Sequence, residues 1–307
     1  MTTASGILLI DKPAGITSHD AVSRTRKIAD TRKVGHAGTL DPMATGLLVL
    51  GINSSTRLLT FVVGLDKEYL ATIRLGASTV TDDREGDLLE SAPDGAVAAI
   101  GSEAILGHIA ELTGEIEQVP SAVSAIKVDG KRAYALVRAG ESVELRSRAV
   151  TVSSFEVLES RLVEDDGSTF LDLDVRVECS SGTYIRALAR DLGSALGVGG
   201  HLTALRRTRI GPFLTADASD LEHLDVGSAL LGPAAVATTL FPHVDLDAQQ
   251  VVDLTHGKRL AFPDAPTELR SGPVAALGPD GRLVGLLSID GSKGRPIVNF
   301  PTDEVLA

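Results

Sequence analysis

Cysteine and aromatic residues are scarce in this 307-residue chain, which has one cysteine, no tryptophan, three tyrosines and seven phenylalanines. The single Cys179 cannot form an internal disulfide, so a reducing, cytoplasmic compartment is expected. One cysteine also excludes a thiolate metal cluster, and the seven histidines show neither HxH nor HxxxH spacing. These absences exclude disulfide-stapled scaffolds and argue against a metal centre.

Long hydrophobic runs and an excess of positive charge are also missing. The N-terminus has no basic leader, and the apolar stretch 226–241 is interrupted by Gly232 and Pro233, so we expect neither a signal peptide nor a membrane span. With 29 Lys and Arg against 41 Asp and Glu, the formal net charge is −12, which argues against an indiscriminate polyanion binder. Any nucleic-acid site must therefore be local.

The apolar residues, 43% of the chain, suffice for a substantial core, and the length suggests two domains. Apolar runs and alternation predict strands at 6–10, 47–52, 69–75, 170–179 and 201–213. Helical spacing predicts helices at 19–29, 54–61, 103–112, 131–138 and 184–196. The Asp280-Gly281 signal between two strand-like runs predicts a hairpin in a small C-terminal β domain.

Basic residues are concentrated in a few segments. Five of the ten residues from Arg24 to Lys33 are basic, and smaller clusters lie at 127–132 and 206–209. Such runs are ordinarily solvated helix faces, but they could instead form a local phosphate-binding surface. The acidic loop at 82–87 is interpreted as exposed and directed away from such a surface.

The segment KVGHAGTLDP at 33–42 has almost no apolar residues to bury. Asp41 precedes Pro42, whose ring favours an extended backbone at the preceding residue and stiffens the loop. An ionised carboxylate held there could act as a nucleophile or a base, and His36 could stack on or hydrogen-bond a ring. Alternatively, the segment is an ordinary turn with a capping aspartate. No GxSxG, P-loop or GxGxxG motif offers another centre.

Six segments in order between residues 5 and 213 resemble the TruB family of tRNA pseudouridine synthases. They are GILLIDKPAGITSHDAV, KVGHAGTLDPMATGLLVL, DKEYLATIRLG, VPSAVSAIKVDGKRAY, CSSGTYIRALARDLG and HLTALRRTRIG. The resemblance implies an α+β fold with a mixed, mostly antiparallel sheet and flanking helices in a catalytic domain of residues 1–240. It also implies a thumb-like loop at 119–134 and a small PUA-like β domain at 241–307.

The activity implied by the resemblance is isomerisation of uridine 55 in the T loop of tRNA to pseudouridine, without cofactor or metal. The implied partner is the T arm of tRNA, and we expect no membrane association, no obligate protein partner and a monomer. Asp41 matches the catalytic aspartate. Whether it attacks C1′, adds to the uracil ring or acts in a glycal route stays open.

Further substrate-binding residues follow from the same resemblance. Tyr69 matches the tyrosine that stacks on the flipped base, although without the resemblance a strand tyrosine is more typical of a core. Tyr184 and Arg186 match pocket residues, with Arg186 pairing with the aspartate. Leu205 matches a pocket wall, and His36 matches the histidine that fills the space vacated by the nucleotide.

One departure from the family pattern lies in the thumb-like loop, where Val123 replaces an aromatic. Two other functions stay open. A non-catalytic RNA-folding factor could keep the same cleft, but an intact Asp41 favours the enzyme. A glycosidase would need a second catalytic carboxylate, and the sequence nominates none.

Overall fold

The computed structural model describes residues 4–121, 127–128, 131–132, 145–165, 167–263 and 266–301. The chain forms two compact units. The first comprises Met1–Asp41, Gly46–Val63 and Pro212–Ala307, and the second comprises Pro42–Thr45 and Gly64–Gly211. Much of the predicted thumb-like loop, including Val123, lies outside the described residues.

The described chain contains nineteen strands and seven α-helices. The strands are β1 (Gly6–Lys12), β2 (Val34–His36), β3 (Thr45–Ile52), β4 (Lys67–Leu75), β5 (Ala77–Thr79), β6 (Leu88–Ser91), β7 (Gly114–Gln118), β8 (Lys127–Val128), β9 (Lys131–Arg132), β10 (Arg148–Asp165), β11 (Ser168–Cys179), β12 (Gly200–Ile210), β13 (Phe213–Leu214), β14 (Ser219–Asp220), β15 (His243–Asp245), β16 (Leu260–Ala261), β17 (Pro273–Leu277), β18 (Leu283–Asp290) and β19 (Lys293–Asn299). The α-helices are α1 (Ser18–Ile28), α2 (Leu59–Val63), α3 (Ser102–Glu111), α4 (Ile185–Ala195), α5 (Val226–Ala229), α6 (Pro233–Leu240) and α7 (Ala248–Thr255). None of these helices is both long and apolar enough to cross a membrane.

In the first unit, β1 is the central strand of the N-terminal sheet. It pairs antiparallel with β3, from Gly6↔Ile52 to Lys12↔Gly46, and parallel with β14. Strand β2 pairs antiparallel with β3. Helix α1 packs Ala21 and Val22 against this sheet. A capping box begins this helix: the Thr17 side chain accepts a hydrogen bond from the Asp20 N–H, and the Asp20 carboxylate accepts one from the Thr17 N–H.

The C-terminal part of the first unit is a separate five-stranded sheet in the order β15-β17-β18-β19-β16. The predicted hairpin is confirmed, because β17 and β18 pair antiparallel around a turn in which Gly281 has φ +76°. Helix α7 packs Leu254 onto this sheet. The domain boundary between residues 240 and 241 stays a prediction.

The second unit is an antiparallel sheet in the order β12-β4-β11-β10-β7. Buried and half-buried residues alternate strictly along β4, as its sequence pattern predicts. Helix α4 packs closely on the start of β12: an added Cβ at Gly193 would lie only 2.2 Å from the backbone nitrogen of Gly200. These pairings confirm the predicted class, a mixed and mostly antiparallel α+β fold.

The helix predicted at 131–138 is wrong at its first two residues, which the structure describes as a strand. Lys131–Arg132, the start of the helix predicted at 131–138, pairs antiparallel with Lys127–Val128 as a two-stranded ribbon. The intervening sequence is Asp-Gly, the dipeptide most typical of hairpins. This local turn preference outweighs the weak helical spacing that follows it.

Candidate active site

The loop that carries Asp41 follows β2 in the first unit. Gly38 has φ +91°, a conformation that glycine adopts readily. Leu40 is buried and held at both backbone groups: its N–H donates to Ser18 Oγ at 2.8 Å, and Ser18 Oγ donates to its carbonyl at 3.1 Å. Asp41, the next residue, is half-buried. Its carboxylate is therefore presented by a backbone that α1 anchors.

His36 lies on β2 opposite Leu50 of β3 and is half-buried. At the end of β1, the fully buried Lys12 donates from Nζ to the carbonyls of Pro13 and Ile16, both at 2.8 Å. This buried ammonium holds the turn between β1 and α1, which supports the Asp41 loop through Ser18.

Tyr69 is buried in the second unit, on the face of β4 that carries its buried residues. Its register neighbours are Val177 on β11 and Arg207 on β12. Leu205, also buried, lies opposite Ala71, two residues along the same face. The ring of Tyr69 and the side chain of Leu205 thus occupy one side of the sheet.

Tyr184 is the N-cap residue of α4, and its backbone is fixed by Gln118 at the end of β7. Tyr184 N donates to Gln118 Oε1 at 2.8 Å, and Gln118 Nε2 donates to the Tyr184 carbonyl at 3.1 Å. Because an amide side chain satisfies both backbone groups, the start of the helix is held to one strand end. Half-buried Tyr184 is the residue through which the strand positions α4.

Arg186 lies in the first turn of α4 and is only 4% exposed. Its Nη1 donates to the Thr81 carbonyl at 2.6 Å, and its Nε lies 3.6 Å from Asp83 Oδ2. Asp83 is oriented by Thr81 Oγ1 at 2.6 Å and by the N–H of Glu85 at 3.0 Å. A guanidinium oriented by a buried carboxylate is suited to holding a second anion.

The prediction that residues 82–87 form a plain exposed loop is wrong at its first two positions. Asp82 and Asp83 are 9% and 3% exposed, because they face Arg186 and Arg190, one turn apart on α4. Opposite charges compensate the burial of these carboxylates. The signal was present as two adjacent acids and an Arg-x-x-x-Arg spacing, but only the tertiary fold brings them together.

The predicted basic surface is only partly solvent-accessible. Arg24, Lys27, Arg32 and Lys33 are exposed around α1 and β2, whereas Arg207 in the 206–209 cluster is 1% exposed. A strand alternates its side chains between two faces, so adjacent arginines cannot all face solvent. Arg207 is therefore a buried residue and not part of a phosphate-binding surface.

The structure brings four of the predicted residues, Tyr69, Tyr184, Arg186 and Leu205, into the second unit. Asp41 and His36 lie in the first unit. Sequence reasoning missed Gln118, whose polar side chain is buried, and the Asp82–Asp83 pair. The individual roles of the six predicted residues stay predictions.

Three family models match the chain in consecutive stretches. Residues 26–185 match the N-terminal domain of the TruB family pseudouridylate synthases. Residues 186–231 match the tRNA pseudouridylate synthase B C-terminal domain, and residues 241–301 match the C-terminal model of tRNA pseudouridine synthase II.

Sequence similarity to known proteins extends over nearly the whole chain. The tRNA pseudouridine synthase B of Leifsonia xyli is 60% identical over 98% of both chains, and that of Arthrobacter sp. strain FB24 is 53% identical over 98% of both. A solved H/ACA ribonucleoprotein bound to a substrate RNA containing 2′-deoxyuridine contains a chain with TM-score 0.69 and 27% identity, covering 97% of this chain and 86% of that one. A Cbf5–Nop10–Gar1 complex gives TM-score 0.69 and 29% identity, with 96% and 84% covered. These likenesses confirm the predicted fold.

Proposed function

Because this chain belongs to the TruB family of pseudouridylate synthases, we propose that the nucleotide it isomerises is uridine 55 in the T loop of tRNA. The chain is a tRNA pseudouridine synthase. The observation that supports the narrower proposal is the 60% identity to tRNA pseudouridine synthase B over 98% of both chains. Relatives this similar over their whole length are expected to act on the same RNA site.

The reaction breaks the N1–C1′ bond of uridine and forms a C5–C1′ bond, so substrate and product have the same atoms. The proton lost from C5 is balanced by the proton gained at N1. The chemistry therefore needs an acid–base group or a nucleophile at the sugar and a pocket that retains the detached uracil. It needs no electron acceptor.

We propose Asp41 as the carboxylate that acts on the reacting nucleotide. Three features support this role: the residue is half-buried, Pro42 stiffens its backbone, and the double hydrogen bond of Leu40 to Ser18 fixes the residue before it. A carboxylate fixed in this way loses little freedom when the substrate arrives.

The pocket for the flipped base is proposed to include Tyr69, Tyr184, Arg186 and Leu205. Tyr69 offers a ring for stacking, and Leu205 offers an apolar wall. Arg186, already oriented by Asp83, would keep the catalytic carboxylate ionised when water is excluded. His36 is proposed to occupy the space that the flipped nucleotide leaves in the loop.

The remaining proposals concern the state of the protein. We infer that it acts in a reducing cytoplasm as a monomer without an obligate protein partner. In support, Cys179 is buried and burial raises its pKa to about 11, which makes the thiol unreactive.

The test incubates the full chain with an unmodified tRNA transcript and maps pseudouridine along the product. We expect modification at uridine 55 and nowhere else. Asp41→Asn should abolish product while changing tRNA affinity by less than about twofold, because it removes the reactive carboxylate and keeps its shape. Asp30→Asn is the matched control, since Asp30 is exposed with φ +46° and asparagine tolerates that conformation.

Product at a different uridine would contradict the substrate assignment. An active Asp41→Asn variant would contradict the role of Asp41 while leaving the assignment of the enzyme intact. A wild-type protein that binds tRNA but forms no pseudouridine would favour the RNA-folding alternative.

A further inference from the structure

Helix α4 presents two arginines to two consecutive acids of the second unit. Arg186 faces Asp83, and Arg190, one turn later, has Nη1 at 3.4 Å from Asp82 Oδ2. Arg190 is less buried than Arg186 and belongs to none of the predicted substrate contacts. Its position raises the question of what the second arginine does.

Arg190 joins three different parts of the second unit. Besides Asp82, its Nη2 donates to the Val119 carbonyl at 2.7 Å, and its Nε donates to Asp191 Oδ1 at 2.8 Å. Val119 is the first residue after β7, where the segment predicted to bind RNA begins. We call Asp82, Arg190 and Val119 the Arg190 bridge.

The acidic end of the bridge is rigid. Asp82 has φ +58°, and its carbonyl accepts a hydrogen bond from Leu202 N at 3.0 Å on β12. The Asp83 carbonyl accepts one from Thr79 Oγ1 at 2.7 Å. Burial raises the pKa of Asp82, whereas Ser121 and Arg190 oppose that rise. Because this loop is held at several points, the Asp82 carboxylate has a fixed position, and it fixes the guanidinium of Arg190 that pairs with it.

The other end of the bridge is next to a second anchor. Gln118, one residue before Val119, forms the two hydrogen bonds to the Tyr184 backbone described above. The end of β7 is therefore tied to α4 at two consecutive residues, once at the N-cap and once in the second turn. Pro120 and Ser121, which follow, are buried.

We propose that Arg190 is a positioning residue that fixes where the chain leaves β7 toward the RNA-binding segment, and thereby sets the affinity for tRNA. The inference rests on the proposed function, because it assumes that residues after 121 contact RNA. All five guanidinium N–H donors belong to a planar fork, so one arginine can hold a carboxylate and a carbonyl at once. Since its contacts are within the protein, Arg190 is not a phosphate ligand.

The experiment measures binding of the full chain to tRNA that already contains pseudouridine, so that no turnover occurs. Arg190→Gln should weaken this binding about tenfold, the order expected for loss of charge-assisted hydrogen bonds. The single-turnover rate at saturating enzyme should stay within about twofold of wild type, because the residues proposed for chemistry are untouched. The double variant with Asp82→Asn should bind no more weakly than Arg190→Gln alone.

Two further variants separate geometry from charge. Arg190→Lys should stay within about threefold of Arg190→Gln, since an ammonium cannot span both acceptors. The matched control is Arg176→Gln, which removes an equal charge from an exposed pair with Glu156 at 3.5 Å and should change affinity by less than about twofold. Full recovery by Arg190→Lys would overturn the proposal.

The salt dependence of binding gives an independent readout. The slope of log Kd against log salt should be unchanged in Arg190→Gln, whereas loss of a direct phosphate contact lowers it by about one unit. A lowered slope, or an unchanged affinity, would overturn the proposal. If Arg190→Gln does not fold, Asp82→Asn alone serves: weaker binding by about threefold supports the bridge, and unchanged binding contradicts it. A wild-type chain that binds tRNA without modifying it contradicts the proposed function only.

Discussion

Lys67 and Arg207 are two cationic residues buried in the second unit, 5% and 1% exposed. Lys67 Nζ donates to the Leu65 carbonyl. Burial and the nearby Arg207 lower the pKa of Lys67 from 10.5 to about 8. A lysine so close to its titration point at neutral pH makes stability depend on pH.

The expected effect has a definite sign. Above pH 8 the folded protein loses the Lys67 proton, whereas the unfolded chain keeps it up to about pH 10.5. The unfolded state then binds more protons, so the wild type becomes more stable as pH rises. Relative to Lys67→Met, its free energy of unfolding should increase by about 1 kcal/mol between pH 7 and 9, measured by urea denaturation.

The stability comparison stops at pH 9 because of Cys179, which lies opposite Lys67 on β11 and has its pKa raised from 9.0 to about 11. Its titration has the opposite effect on stability, since the folded state then holds the extra proton. Lys27→Met, at an exposed lysine of α1, is the control and should show no such trend. Parallel pH profiles for wild type and Lys67→Met would contradict the prediction.

Individual residues were predictable to different degrees. Asp41 stands out because Pro42 and the surrounding glycines make its loop unusual, and Tyr69 lies in a clear strand pattern. Burial of Asp82 and Arg207 was not predictable, because charged residues are buried only where a distant part of the chain compensates them. That partner cannot be read from neighbouring residues.

At the scale of elements, the start of α1 controls the backbone that precedes Asp41. Ser18 is buried, and its hydroxyl both accepts from and donates to Leu40. Helix and loop are therefore joined by one side chain that satisfies two backbone groups. A change at the helix should affect chemistry in the loop.

Ser18→Ala should lower the single-turnover rate about tenfold while leaving tRNA affinity nearly unchanged, because it frees the backbone next to the proposed catalytic carboxylate. It should also cost about 1–3 kcal/mol of stability, since two buried backbone groups lose a partner. Rapid-quench kinetics and urea denaturation measure the two effects. Ser23→Ala on the same helix is the control, and an equal effect there would contradict the role of Ser18.

The elements themselves were largely predictable. Alternation along β4 and β11 and helical spacing in α4 reflect side-chain directions that backbone geometry fixes locally. The short β2 and β14 were not predicted, because strands of two or three residues exist only through their ladder partners. The helix predicted at 131–138 was wrong at its start, because the hairpin preference of the preceding Asp-Gly dipeptide outweighed the weak helical spacing.

At the scale of the whole molecule, negative net charge coexists with a basic surface. The formal net charge of the chain is −12, yet Arg24, Lys27, Arg32 and Lys33 are exposed around α1 and β2. Electrostatic attraction to RNA depends on the local potential, which decays within about 10 Å at ordinary salt. The exposed basic residues should therefore govern tRNA binding despite the overall charge.

Arg24→Gln and Lys27→Gln should each lower the slope of log Kd against log salt by about one unit, as loss of one phosphate contact does. The single-turnover rate at saturating enzyme should not change. Arg161→Gln, in an ion pair with Asp174 on the second unit's sheet, is the charge-matched control. Equal slopes for all variants would mean that net charge, and not this surface, governs binding.

The sequence by itself determined the positions of most strands and helices, the mostly antiparallel class, the loop that carries Asp41 and the family. These properties depend on local backbone geometry or on ordered motifs, which are legible in a linear chain. Tertiary structure alone decided that Asp82 and Asp83 face α4, that Arg207 is buried, and that Gln118 and Arg190 tie β7 to that helix. The physical reason is that burying a charge or an amide is favourable only when a partner remote in sequence replaces the lost water.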